Sequence, residues 1–506
     1  MKLFTIGDSV SQGFMSGAAA RTDLAYSTLI ARAMKLTDYR YPKLWGAGGL
    51  PLNLENVLRQ LQETYGTDIS AFEWLSVLQP LGKIIDSVED YYERGQGAEN
   101  QPDPSGVEFY HNVAIQGFDV ADAWLVNAET CKTEIDSNPN EKKDNTFGFP
   151  SATFYRTALK VLNPSLKPQF DQYTQLEWLR HHATQEGVEN LLLWLGANNA
   201  LGTVLGLSIN QTPGTGSRSL LSLSREQREA WNLWHPNDFA VEYAELLDRV
   251  DQIMQNSRNQ NFNVFVGTVP LVTIAPLAKG FGETMKIEVE TDFSDSQESY
   301  IYYKYYSYFF REEEAVRKGK QVFLTLNDAV YIDNCIRQYN QTIKKLVAQK
   351  NQNYSQPRYH IVDLSKALQD IAFKRNAGQV KYQFPDYFNF KYPPVNTKYY
   401  HADQQGHLKQ GGLFSLDGVH PSAIGQGLIA YEFLKVMQKV GVVRQINLDW
   451  EAIFKSDQLY SAPISLMHEL YENDRLSEFF IDWIAGKPAA RTESFHLKAM
   501  AEDSTL

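Results

Sequence analysis

Cysteine is nearly absent: Cys131 and Cys335 are the only two in 506 residues. Two thiols exclude a disulfide framework and a cysteine-rich zinc site, and they read as free thiols in a reducing compartment. Long hydrophobic runs are also missing. No stretch approaches the roughly 20 apolar residues of a bilayer-spanning helix, so integral membrane association is not expected. There is no basic excess either. Against 60 Asp and Glu stand 48 Lys and Arg, a formal charge of −12, which argues against nucleic acid as a partner. The opening residues 1–6 are apolar over too short a span for a signal-peptide core, so the expected location is cytoplasmic. No internal repeat of about 20–50 residues is visible, which excludes solenoids and propellers.

What the chain does contain is enough apolar material for a large core. Hydrophobic residues make up 43% and charged residues 21%, a balance that excludes disorder as the dominant state. Short apolar runs at 2–6, 112–115, 191–195, 263–269 and 359–364 recur between helical patterns. Strands apolar on both faces and alternating with helices predict a parallel sheet in an α/β layer fold. A helix is expected over 238–254, with Phe239, Tyr243, Leu246, Leu247, Val250 and Met254 on one face. Another is expected over 326–347, where Thr325 and Asp328 resemble a capping box. A last core helix should follow Pro421-Ser422, carrying Ile424, Leu428, Phe433 and Val436.

Between these elements lie stretches too long for ordinary α/β loops, at about 36–108, 128–188, 200–235, 278–322 and 370–412. A tail from about 442 carries apolar residues such as Leu459, Leu466, Leu470, Phe479, Phe480 and Trp483, and is expected to pack as a helical extension. Residues 300–310 hold eight aromatics. That run reads either as a strand buried on both faces or a packed lid, or as an apolar wall of a substrate pocket.

Four strand ends carry chemistry. The first apolar run enters Gly7-Asp8-Ser9, placing a serine past the carboxyl end of a parallel strand, where open α/β sheets bind ligands. Asp417-Gly418-Val419-His420 places a carboxylate and an imidazole three residues apart before a helix. Asp417 would then take Nδ1–H of His420 and leave Nε2 to accept the Ser9 proton. Asn198, in Gly196-Ala197-Asn198-Asn199, offers an amide side chain at a strand mouth, and Gln116-Gly117 offers a backbone N–H before a helix expected from Phe118. His181, His182, His401 and His407 lack the spacing of a metal site.

These four segments, in this order, resemble the sequence blocks of the GDSL (SGNH) hydrolase family, a group of lipases and esterases. Gly7-Asp8-Ser9 matches the first block, Gly117 the second, Gly196-Ala197-Asn198-Asn199 the third and Asp417-Gly418-Val419-His420 the fourth. The resemblance spans positions 7 to 420 but covers well under half of the residues. It implies a flavodoxin-like three-layer α/β/α sandwich with a five-stranded parallel sheet. On that reading residues 1–441 form one hydrolase domain with insertions, and 442–506 a helical extension packed on it. It also implies Ser9 as nucleophile, His420 as base, Asp417 as its orienter, and an oxyanion hole from the Ser9 and Gly117 N–H groups and the Asn198 side chain. No metal or cofactor is implied. The expected activity is hydrolysis of a small-molecule or lipid ester through an acyl-enzyme. An inactive scaffold on the same fold and an acyltransferase using the same triad are the alternatives. The family's usual Asp at the end of the third block is Asn199 here. Asp8, Asn199, Ile274, Tyr305 and Phe309 are the expected pocket residues, with Leu271 and Leu277 on the rim.

Overall fold

Four of the five apolar runs pair as strands. In the computed structural model β1 (Phe4–Gly7), β2 (Asn190–Trp194), β3 (Asn263–Gly267) and β7 (Tyr359–Val362) form a parallel sheet in the order β1-β2-β3-β7. Ile6 lies beside Leu193, Leu193 beside Val266 and Val266 beside Ile361. The structure describes residues 1–18, 21–44, 53–66, 83, 87, 90–91, 95–137, 153–291, 294–309, 311, 313–319, 322–398, 400–402 and 408–468. His407, Phe310, Leu470, Phe479, Phe480 and Trp483 lie outside the described residues, as does the side chain of His401.

The sheet has four strands rather than the expected five. Residues 111–115 run alongside β1, taking the Thr5 N–H on the His111 carbonyl at 2.8 Å and giving the Val113 and Ile115 N–H groups to the Thr5 and Gly7 carbonyls at 3.1 and 3.2 Å. Only Asn112 and Thr5 form a bridge, however, and no strand is completed. Side chains take other main-chain groups of this segment. Asn112 Oδ1 accepts the Ala114 N–H at 3.0 Å, turning the chain locally. The Val113 carbonyl, which a regular ladder would give to Gly7 N–H, accepts the Gln175 amide instead, at 2.7 Å.

Alternation along each strand sends side chains to two faces, and helices cover both. Ile6, Leu191, Leu193, Val264 and Val266 face the helices Gln175–Gln185, Pro236–Gln255 and Leu326–Asn351. Leu192, Trp194 and Phe265 face the helices Tyr26–Ala33 and Ala423–Lys439. The expected stripe of the helix Pro236–Gln255 is buried, and Thr325 and Asp328 form the capping box before Leu326. In the helix Ala423–Lys439, Met437 rather than Val436 completes the buried face; Val436 is half-buried, one position round the helix.

The stretch 278–322 is mostly a long antiparallel hairpin, β4 (Ala278–Thr291) and β5 (Ser294–Tyr308), closed by the short β6 (Leu324–Thr325). The aromatic run is β5. Tyr300, Tyr302 and Tyr306 are fully buried, and Tyr302 Oη donates to Asp333 Oδ2 at 2.7 Å. Above Tyr302, 3.9 Å from the ring centre, lies the fully buried guanidinium of Arg375, which pairs with Asp333 at 3.1 Å and donates to Tyr306 Oη at 2.8 Å. The tail packs as far as it is described: Ile453, Phe454, Leu459 and Leu466 are buried, and Asp457 Oδ2 accepts the Ile424 N–H at 3.0 Å, capping the helix Ala423–Lys439 from outside its own chain segment. Among the described residues no helix is long and apolar enough to cross a membrane.

Two histidines are packed into an aromatic cluster. His182 lies 4.3 Å from the ring of Phe109 and stacks on Trp178, and Phe109 also meets His111. Burial pushes His182 down to about 3 and His111 down to about 4, from an ordinary value of 6.5. The unfolded chain therefore binds protons that the folded one refuses, and stability falls as pH drops from about 6.5 toward about 4. Each histidine contributes up to about 1.4 kcal/mol per pH unit in that window. Urea midpoints should be lower at pH 5 than at pH 7, and His182→Leu should flatten the dependence. Equal slopes in the variant and the parent would show that His182 does not titrate with folding.

Candidate active site

The serine is placed by a turn that only glycine permits. A Cβ on Gly7 would lie 2.1 Å from Ser11 Oγ and 2.9 Å from the Trp194 carbonyl oxygen. Asp8 then caps the short helix Ser9–Gln12, accepting the Val10 N–H at 3.1 Å, and Gly13, at φ +84°, ends it. Asp8 is buried. Burial raises its carboxyl to about 7 despite the Val10 N–H and nearby His420, which favour the charged form.

The imidazole comes from the far end of the chain. The segment 414–421 closes on itself through the Phe414–Pro421 bridge and the Ser415 N–H donating to the His420 carbonyl at 2.8 Å. Ser16 ties it to the serine loop twice: its N–H donates to Ser415 Oγ at 2.8 Å and its Oγ accepts the Leu416 N–H at 3.1 Å. Asp417, 1% exposed, is saturated with donors. Oδ1 accepts the N–H of Val419 and of His420 at 2.9 and 2.8 Å. Oδ2 accepts the Gly17 N–H at 3.0 Å and lies 2.9 Å from His420 Nδ1. Burial alone would raise this carboxyl, but the charge of His420 and the hydrogen bonds from His420 and Val419 outweigh it and hold it below the usual range. Because Asp417 can only accept, Nδ1 carries the proton and Nε2 is left basic. Nε2 is 2.9 Å from Ser9 Oγ, although the two residues are 411 positions apart. Phe14 flanks the imidazole, ring centres 4.8 Å apart.

The third and second blocks meet on one loop. Gln116 N–H donates to Gln12 Oε1 at 3.1 Å, Asn198 Nδ2 donates to the Phe118 carbonyl at 2.8 Å, and Val120 N–H donates to Asn199 Oδ1 at 3.2 Å. Gly117 holds φ +74° at the centre of this loop. Among the described residues neither the Ser9 nor the Gly117 N–H has an acceptor. The helix expected from Phe118 begins at Asp122 instead. Asp119 and Asp122 each accept the other's backbone N–H, at 3.0 Å, and hold 118–121 as a turn.

The expected pocket residues fall in different places. Asn199 is fully buried, and its amide nitrogen donates to Glu242 Oε2 at 2.6 Å, so it braces the loop rather than facing a substrate. That contact accounts for the amide: an aspartate would set two carboxylates against each other, and burial already raises Glu242 well above its usual range. Ile274 is buried in the turn Val272–Ile274. Leu277, just after it, donates its N–H to the Gly418 carbonyl at 2.9 Å and accepts the Phe309 N–H at 3.0 Å, which ties this rim to the His420 turn. Tyr305 is half-buried on the hairpin, opposite Phe281 and Thr325, with its ring on Phe323. Among the described residues no group of three or more His, Cys, Asp or Glu is gathered in a metal-binding arrangement.

Sequence reasoning missed Gln12, Gln175 and a buried charge cluster behind the loop: Asp119, Asp122, Arg225 and Arg228. A signal for the cluster was present, in the two acids at 119 and 122 within an otherwise apolar segment, 117–126.

No protein-family model and no curated protein matches the chain. Among solved structures it is similar to a Clostridium thermocellum family 3 carbohydrate esterase, at 13% identity over 87% of this chain and 96% of that one, with a TM-score of 0.29. That overlap is too loose to assign a fold or an activity.

Proposed function

We propose that the protein is a serine ester hydrolase of GDSL/SGNH type acting through an acyl-enzyme on Ser9. One observation carries the reading: the unbroken relay from the buried Asp417 carboxylate through His420 to Ser9 Oγ, both contacts at 2.9 Å. Nothing in core packing requires a serine, an imidazole and a carboxylate to line up in this order. The relay supports a reaction in which His420 Nε2 takes the Ser9 proton as Oγ attacks the ester carbonyl. His420 then returns the proton to the leaving alkoxide and activates the water that releases the acid. The Ser9 and Gly117 N–H groups and the second hydrogen of Asn198 Nδ2 are the donors for the oxyanion. The apolar Leu277, bonded to Gly418 beside the His420 turn, favours an apolar acyl group. Residues 1–441 act as one domain carrying insertions, with the tail packed against it. Labelling by a fluorophosphonate, and turnover of p-nitrophenyl esters of increasing chain length with Ser9→Ala as control, test this directly. A wild-type chain that neither labels nor turns over any ester refutes it.

Asn198→Ala should lower kcat by about 10²–10³, roughly 2.7–4 kcal/mol, with KM little changed, because an oxyanion donor acts chiefly on the transition state. Steady-state kinetics on p-nitrophenyl acetate decide it. A raised KM with kcat intact would assign Asn198 to ground-state binding.

A further inference from the structure

Building on Ser9 as nucleophile, we infer that Arg225, which lies outside all four sequence blocks, is the positioning residue that keeps the Gly117 N–H free and aimed for the oxyanion. Arg225 opens the helix Arg225–Arg228, whose start is fixed by a capping box between Ser224 and Gln227. From there its guanidinium makes a three-way fan. One terminal nitrogen pairs with Asp122 Oδ2, Nε donates to Glu229 Oε1 at 3.0 Å, and the other terminal nitrogen donates to the Gly117 carbonyl at 3.2 Å. The guanidinium carbon lies over the ring of Phe154, 3.8 Å from its centre. A planar fork held by two carboxylates and a ring has no freedom left to swing, so the carbonyl it grips is held as well.

Gly117 is the residue in the loop least able to hold itself. It has no side chain and sits at φ +74°, a region other residues rarely adopt. The groups around it are tied individually. The Gln116 N–H goes to Gln12, the Phe118 N–H to the Ile115 carbonyl at 3.4 Å, the Phe118 carbonyl to Asn198, and the Gly117 carbonyl to Arg225. Among these groups the Gly117 N–H alone is left without an acceptor. With Arg225 gone, the Gly117 carbonyl loses its side-chain partner, and a glycine free to change both of its dihedrals no longer fixes the direction of its own N–H. Arg225 does this through the main chain of another residue, without touching the substrate.

Arg228 supplies the comparison. It shares the same buried acids, pairing with Asp122 Oδ1 and with Asp119 Oδ2 at 3.3 Å, and among the described residues it makes no bond to Gly117. A merely structural role for the cluster predicts that variants at 225 and 228 behave alike. The test compares R225Q, R225K and R228K with the wild-type protein on p-nitrophenyl acetate, on the rate of inactivation by a fluorophosphonate, and on thermal midpoint. Assays are run at a temperature where each variant is folded. R225Q should lose about 10- to 100-fold in kcat with KM within about twofold. Phosphonylation should slow by a similar factor, since the phosphoryl oxygen occupies the same hole. R225K, which keeps a cation opposite Asp122 but lacks the fork, should fall between R225Q and wild type, and it carries the test if R225Q does not fold. R228K should lower the midpoint and leave both rates unchanged. Wild-type rates in folded R225Q or R225K overturn the inference, as do rates in the 225 and 228 variants that track their midpoints alone. A wild-type protein that does not label at all would refute the Ser9 reading itself, and this inference with it.

Discussion

Ser9→Ala and His420→Ala should each abolish hydrolysis, with kcat falling by about 10⁶-fold where both members of such a pair act in one step. The fold should survive both changes. Ser9 Oγ has one partner in the site, His420, and the Asp8 cap that starts its helix is untouched by loss of the hydroxyl. The stability cost of Ser9→Ala is thus that of a single hydrogen bond, about 0.5–1.5 kcal/mol, and that of His420→Ala is larger because the buried Asp417 also loses a partner. The two changes together should cost little more in rate than either alone, because a nucleophile without its base and a base without its nucleophile fail in the same step. Initial rates on an activated ester, with a urea midpoint for each variant, check both halves. Retention of even a tenth of the wild-type rate in Ser9→Ala would place the nucleophile elsewhere.

Asp417→Asn should have the second-largest effect, and the hydrogen bonds around it say why the isosteric change is severe. All four groups bonded to the carboxylate are donors. If the new amide places its oxygen toward His420, its NH₂ faces the Val419 and His420 N–H groups, donor against donor. If it turns over, the NH₂ faces Gly17 N–H and forces His420 to accept at Nδ1. The proton then moves to Nε2, which can no longer take one from Ser9. The first arrangement costs about 1–3 kcal/mol for buried donors left unsatisfied. The second leaves the wrong tautomer, worth about 10⁴ in kcat in the serine protease template. Both a lower urea midpoint and a lower kcat are expected. Activity within twofold of wild type would make Asp417 a loop residue and nothing more.

How much of this was legible depended on whether the signal was local. The Ser9 turn could be read because β1 is apolar and Gly7 follows it at once; the capping box at Thr325 and the stripe over Pro236–Gln255 could be read for the same reason. The missing fifth strand could not, because the side chain that interrupts it, Gln175, is 62 residues away from Val113. The aromatic run could be read as a strand buried on both faces, and β5 is one, but its hairpin partner β4 could not: aromatics on both faces of β5 erase the period-two pattern that tells a strand which side to pair and pack. Asn199 looked like a pocket residue from its block position. Its orientation is set by Glu242, on a helix 43 residues further on, and no local pattern announces that contact.

On the reading proposed above, the 411 positions that separate Ser9 from His420 also govern when the protein can begin to work. A chain emerging from the ribosome completes β1 and the serine turn first, yet it carries no base. Residues 413–422 are nearly the last part of the sheet domain to be made, and the helix after them is capped by Asp457. Until synthesis has passed His420, Ser9 has no base and is an ordinary alcohol. The long loop that joins the two halves makes their meeting a slow, non-local event. On that reading hydrolysis reports that the first and last parts of the fold have found each other, and a chain that stops short of His420 is silent.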